Sequence, residues 1–228
     1  VLIAAAVVPH PPVLVPEVAQ GLSPDLDSLR AACGTAVGRL YAAGADEVLI
    51  VGAGPQQGTE VVSRGSFRAY GVDVDVDGQW DPVTRSAAPM TLPFLIAAWL
   101  LRDSPAEPVR RPVMVNEHSG ALAVAGGRQA MLVLGDGSAS RTLQAPGHFD
   151  ERAEAYDAAV ARALATADAA ALAGLEPGLS RELHVAGLPA WKVLAAAATA
   201  SGVEYDADLL YDQALYGVGY FVATWLAR

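Results

Sequence analysis

Val1-Leu-Ile-Ala-Ala-Ala-Val-Val8, running straight into Pro9-His-Pro-Pro12, is the stretch on which the fold turns. Apolar residues with no polar alternation, stopped by proline, read as a strand buried on both faces. Such a strand belongs to a sheet with helices above and below. Glu47-Val-Leu-Ile-Val51 and Ala130-Met-Leu-Val-Leu134 repeat the signal. Between the first two runs, Pro9 to Gly21 reads as a loop and Pro24 to Ala43 as a helix, with Ser23 as N-cap, Pro24 at its first position and Gly44 just past its end.

Working outward, Phe67 to Asp77 alternates Val72, Val74 and Val76 with aspartates, which predicts a half-exposed strand. Helices are expected over Thr91 to Arg102, Gly120 to Gly127, Phe149 to Ala165 and Ala167 to Ala173. Leu179 to Thr199 reads as an alanine-rich helical region with a break at Gly187-Leu188-Pro189. Pro112 to Asn116, Glu204 to Leu210 and Gly217 to Leu226 read as further strands. Strands alternating with helices predict an α/β fold, a central mostly parallel sheet flanked by helices. No repeat, low-complexity linker or break in composition marks a boundary, so residues 1–228 are expected to form a single domain.

The chain has 228 residues, 53% of them hydrophobic, which excludes disorder as its main state. A formal net charge of −10 argues against nucleic acid and against anionic membranes as partners, because both need a basic face. Cys33 is the single cysteine, so an intrachain disulfide and a thiolate zinc finger are both excluded. No apolar stretch reaches the length of a membrane span. The apolar start lacks a basic segment before it, so a signal peptide is not expected and a cytoplasmic location fits best.

Ligands of open α/β sheets sit beyond the carboxyl ends of the strands. Pro9 to Pro16, Gly52 to Gly58 and Gly135 to Arg141 occupy that address and are expected to converge there. His10 stands between prolines that stiffen its loop. It reads equally as a ligand or acid–base group and as a histidine that closes the loop onto nearby backbone. Gly52-Ala-Gly54-Pro-Gln-Gln-Gly58 has the wrong spacing and a proline for a dinucleotide loop. Gly135-Asp136-Gly-Ser138-Ala-Ser140-Arg141 lacks the pentapeptide of a serine hydrolase, so Asp136 and Ser138 are expected to bond their own loop. Glu117-His118, His148, Glu182 and His184 show no close ligand spacing, and surface or capping roles are expected for them.

The set of loops resembles one known family. Ala6-Val-Val-Pro-His10-Pro-Pro-Val-Leu-Val-Pro16, Leu134-Gly-Asp-Gly-Ser138, Phe149-Asp-Glu-Arg-Ala-Glu-Ala-Tyr-Asp157 and Tyr216-Gly-Val-Gly-Tyr220 are similar, in order and spacing, to the class III extradiol ring-cleavage dioxygenases of the LigB-like type and their Memo-like relatives. The resemblance implies that fold across nearly the whole chain. It also implies a non-haem Fe(II) held by two His and a Glu, with a further His as acid–base, an aromatic or phenolic substrate, and self-association. Carried over position by position, the first iron ligand corresponds to His10. Ala53, followed by Gly54, stands where the second His belongs, and Ala139 where the acid–base His belongs. The last ligand falls on Val185-Ala186-Gly187, with Glu182 and His184 the nearest substitutes.

One imidazole cannot hold Fe(II) in that manner. The expectation is therefore a degenerate member with no cofactor. Its pocket would be lined by His10, Ala53, Gly54, Asp136, Ser138, Ala139 and Val185, and it would bind a small molecule, or its surface a protein. The competing expectation is an active metal-dependent oxidoreductase with Fe(II) in a site rebuilt around His10, or His10 and Asp136 as a metal-free acid–base pair. The apolar Ala87 to Leu101 segment is expected to supply either core or part of an interface in a homo-oligomer.

Overall fold

The structure, a computed structural model, describes residues 1–55, 57–59, 61–80, 89–119 and 127–228. The expected helix at Gly120 to Gly127 lies, but for Gly127, outside the described residues, as do Gln56 of the Gly52 to Gly58 loop and Ala87-Ala88.

Strand β1 (Leu2–Val8) leads through a 3₁₀ turn and the short α1 (Pro16–Ala19) to α2 (Asp27–Ala42) and β2 (Glu47–Ala53). A small hairpin, β3 (Arg64–Ser66) and β4 (Asp75–Asp77), precedes α3 (Leu92–Leu100), β5 (Val109–Val115) and β6 (Gln129–Leu134). Then come α4 (Ala153–Ala165), α5 (Ala169–Ala173), α6 (Pro177–Glu182), α7 (Leu188–Ser201), β7 (Tyr205–Leu215) and β8 (Val218–Ala227). The main sheet has six strands in the order β5-β2-β6-β1-β8-β7. β5, β2, β6 and β1 run parallel, while β8 pairs antiparallel with β1 and with β7. The fold is mixed α/β, with a mostly parallel central sheet between helical layers.

The unalternating composition of β1 follows from its position. Ala4, Ala6 and Val8 face a core shared with α2 and α3, whereas Ala5 and Val7 face one shared with α4, α5 and α7. Because each face is dry, either parity needs an apolar side chain. Trp191 of α7 and Phe221 of β8 meet edge to face at 6.1 Å in the second layer. Trp225 is fully buried with its indole N–H donating to Leu164 O at 2.8 Å. Phe94, Ile96, Ala97 and Ala98 of α3 are fully buried, so within the described part of Ala87 to Leu101 these residues are core.

Two local expectations are corrected, and the expected break before Pro189 is present. The winding before α2 is 3₁₀ from Gln20 to Leu26, so the α-helix starts at Asp27 rather than Pro24. Proline at the start of a turn suits either winding, and the tighter one delivers Leu26 to the core. Phe67 to Asp77 is not one strand. Ser66 accepts a hydrogen bond from the Arg68 N–H and starts a 3₁₀ turn that buries Phe67, leaving Asp75 to Asp77 to pair back onto Arg64 to Ser66. Leu179 to Thr199 is two helices, and Pro189 sits in the first turn of the second, where its missing N–H costs nothing.

The β7–β8 turn is Tyr216-Gly217, with φ of 53° and 80°. Positive φ at both central residues is what a tight two-residue hairpin requires. A Cβ on Gly217 would also lie 2.5 Å from the Ala145 Cβ, so this turn is packed against the segment that follows β6.

Candidate functional site

Because β5, β2, β6 and β1 are parallel, their carboxyl ends share one edge, and the segments after them meet there. Val8 and Gly52 each stand opposite Leu134, on either side of β6. This places His10, Ala53 and Asp136 at the same level of the sheet. Gly135 N–H donates to Val8 O at 3.0 Å, and the His10 N–H donates to Asp136 Oδ1 at 2.7 Å. The α6–α7 connection joins them: Gly187 N–H donates to Asp136 O at 2.9 Å, and Ala139 N–H to Leu183 O at 3.1 Å. The loops after β1 and β6 are thus bonded to each other, with Ala53-Gly54 one strand away. Gly135 makes the convergence feasible, since a Cβ there would lie 2.5 Å from the Gly187 Cα.

His10 is buried, and its Nδ1 lies 3.5 Å from Asp136 Oδ1. That distance is too long for a well-formed hydrogen bond, and Nδ1 has no other partner among the described residues. Burial pushes the Asp136 carboxyl above the usual carboxylate range, while the neighbouring imidazole and the His10 N–H bond pull the other way. Two groups that the sequence analysis did not place beside Asp136 sit in the same surroundings. Cys33 of α2 is fully buried, and burial, with the Asp136 charge adding, pushes its thiol up to about 12. A thiol held so far up is inert as a nucleophile. Tyr220 of β8 is buried, and burial together with the Asp136 charge raises its phenol. Alternation along β8 puts Tyr220 with Val222 on the α2 side of the sheet, a signal readable only once β8 is placed beside β1.

Ser138 is fully buried. Its hydroxyl donates to Leu183 O at 3.0 Å and accepts from Ser140 N–H at 3.1 Å, so it bonds backbone rather than facing a reactant. Its own N–H donates to Asp157 Oδ1 at 2.9 Å, and Arg141 closes on Asp157 Oδ2 at 3.0 Å. This buried ion pair ties the loop after β6 to α4. Ala139 and Val185 are half-buried beside these contacts.

The other histidines stand apart from His10 in their environments. His118 is exposed in a turn capped by Asn116, and its neighbour Glu117 pairs with Arg181. His148 is exposed, with Nδ1 3.0 Å from Leu143 O. His184 is exposed at φ 55°, beside Gly147. Glu182 is exposed and paired with Arg152 at 2.8 Å. Among the described residues, no three His, Cys, Asp or Glu side chains come together as a metal would need. One imidazole beside one carboxylate does not fit a two-His, one-carboxylate Fe(II) set. Nor is any described helix long and apolar enough to cross a membrane.

No protein-family model matches this chain, and no curated protein matches it.

Proposed function

We propose that this chain is a divergent member of the LigB-like class III extradiol dioxygenases, related to the Memo-like proteins. In this reading it binds a small molecule at the carboxyl edge of the sheet without iron. The carrying observation is the His10–Asp136 pair, Nδ1 to Oδ1 at 3.5 Å, at the meeting point of the loops after β1 and β6. A carboxylate beside Nδ1 favours a proton on that nitrogen and leaves Nε2 as the acceptor. The pair therefore supplies a polar anchor for a hydroxyl or another weakly acidic group. Ala53 and Ala139, standing where the family places imidazoles, support a pocket that recognises its ligand by shape with one polar contact. A small phenol fits that description, which the family resemblance also favours.

The test is elemental analysis of the purified protein, followed by thermal-shift titration with Fe(II), Zn(II), Mn(II) and catechol on wild type and His10→Ala. We expect no stoichiometric metal, no metal-induced shift, and a catechol-induced shift that His10→Ala removes. Stoichiometric metal lost in His10→Ala would overturn the reading in favour of a site rebuilt around His10. Failure of catechol and related phenols to shift the wild type would remove the small-molecule reading.

A further inference from the structure

A groove of about 500 Å³ runs between the outer face of α2 and the C-terminal end of α3, its wall including Gly34, Val37, Gly38, Tyr41, Trp99 and Arg102. It runs along α2, from Pro16 and Arg30 near the loop after β1 to Ser104 and Pro105 at the other end, where α2 and α3 lead into the first residues of β2 and β5. On α2 the spacing 34, 37, 38, 41 is one helical face. A Cβ at Gly34 or Gly38 would meet no atom within 4 Å. Each such glycine costs about 1 kcal/mol relative to alanine, and here no close helix approach explains it. The volume they leave open is the groove itself.

Beneath this groove lies an unusual charge. Arg110, on β5, is 1% exposed. Its guanidinium donates to Tyr41 Oη at 2.9 Å and to the carbonyls of Gly78, Leu101, Ser104 and Pro105 at 2.9–3.2 Å. Among the described residues no carboxylate pairs with it. Carbonyl dipoles satisfy its hydrogens but do not cancel its charge, and a buried uncancelled cation is expensive. Tyr41 is the half-buried link between that cation and the groove. Because its oxygen accepts from Arg110, its own hydrogen is left to donate, polarised by the guanidinium behind it. Arg102 stands at the same groove, its guanidinium 4.2 Å from the Trp99 ring centre. The one acidic residue on the wall is Asp103, at the rim, 3.3 Å from Arg102 Nε and with its side chain 84% exposed. An ion pair so open to water is weak, and although Arg102 Nη1 donates to Trp99 O at 2.7 Å, Nη2 is left to take a second anion.

We infer that this groove is a second binding site, for a small carboxylate with an apolar body. The carboxylate takes the Tyr41 hydroxyl and the Arg102 guanidinium, backed by Arg110. The apolar body lies along Gly34, Val37 and Gly38. The volume suits a ligand of about a dozen heavy atoms, and the charge complements an anion on a chain whose net charge is −10. The site is independent of the His10 reading.

The experiment is isothermal titration of the full chain with benzoate, and with benzamide as its neutral isostere. Wild type should bind benzoate with a Kd of about 1 mM or tighter, and benzamide at least tenfold more weakly. Tyr41→Phe should weaken benzoate about tenfold or more, since it removes a hydrogen bond to a charged group. Gly38→Leu, which improves helix propensity while filling the groove, should abolish binding with no loss of thermal stability. His10→Ala should leave benzoate affinity unchanged. Absence of benzoate binding to wild type overturns the site, as does equal affinity for benzamide or full binding by Gly38→Leu. Loss of benzoate binding in His10→Ala would place the probe at the other edge and overturn it equally.

Discussion

A half-buried carboxyl, Asp136, and a buried guanidinium, Arg110, sit at opposite ends of one sheet and are handled differently. At the carboxyl edge, Asp136 has a titratable neighbour in His10, at a distance that leaves the bond incomplete. At the amino end, Arg110 is locked by a phenol and four carbonyls. The first arrangement leaves His10 Nδ1 without a hydrogen-bond partner among the described residues. The second holds a permanent positive charge in one place. A fully satisfied cation organises the chain around it.

The comparison breaks most visibly at Arg110. Arg110→Met should destabilise the protein by about 3–5 kcal/mol, because four carbonyls and a phenol lose their donor together. Urea unfolding measures it, and a loss below about 1 kcal/mol would mean that the guanidinium is not the clamp of the 101–105 segment. Next in size is the carboxyl edge itself. Gly135→Ala forces a Cβ against the Gly187 Cα, and overpacking of this kind costs about 2 kcal/mol. A neutral substitution there would show that the loops after β6 and before α7 do not meet as closely as their hydrogen bonds require.

The smallest effect sharpens the contrast through pH. Burial raises the Asp136 carboxyl, so the native state holds its proton to higher pH than the unfolded chain does. Its stabilising share is complete below the unfolded value near 3.8 and is lost as pH rises through the native one. Asp136→Asn keeps an acceptor for the His10 N–H and removes the titration. The variant should therefore gain stability relative to wild type as pH rises from about 4 towards neutrality. Urea midpoints measured across that range report it, and a difference that stays flat or shrinks would mean Asp136 is not penalised by burial.

The buried runs of β1, β2 and β6 were legible because a strand dry on both faces has no polar alternation to imitate anything else. The address of the site was legible too, since parallel strands put His10, Ala53 and Asp136 at one edge. The winding before α2 was not, because Pro24 and Leu26 suit a 3₁₀ turn and an α-helix alike. The Phe67 to Asp77 segment misled for a similar reason: its valine alternation is genuine, but Ser66 offers the backbone a competing hydrogen bond. Cys33 and Tyr220 escaped notice as neighbours of Asp136. They come from α2 and β8, and only the antiparallel placement of β8 against β1 brings the second of them near.

By itself, then, the sequence determined the α/β alternation, the layered core and the edge where candidate residues gather, because those depend on local hydrophobic pattern and strand direction. Only the tertiary structure decided that Asp136 faces His10 rather than its own loop, and that Ser138, besides bonding its own loop, reaches Leu183 O. It alone showed that Arg110 lies buried, with no carboxylate partner among the described residues, beneath a groove opened by two glycines. Those outcomes depend on which distant segments share a dielectric environment, and desolvation acts through space rather than along the chain.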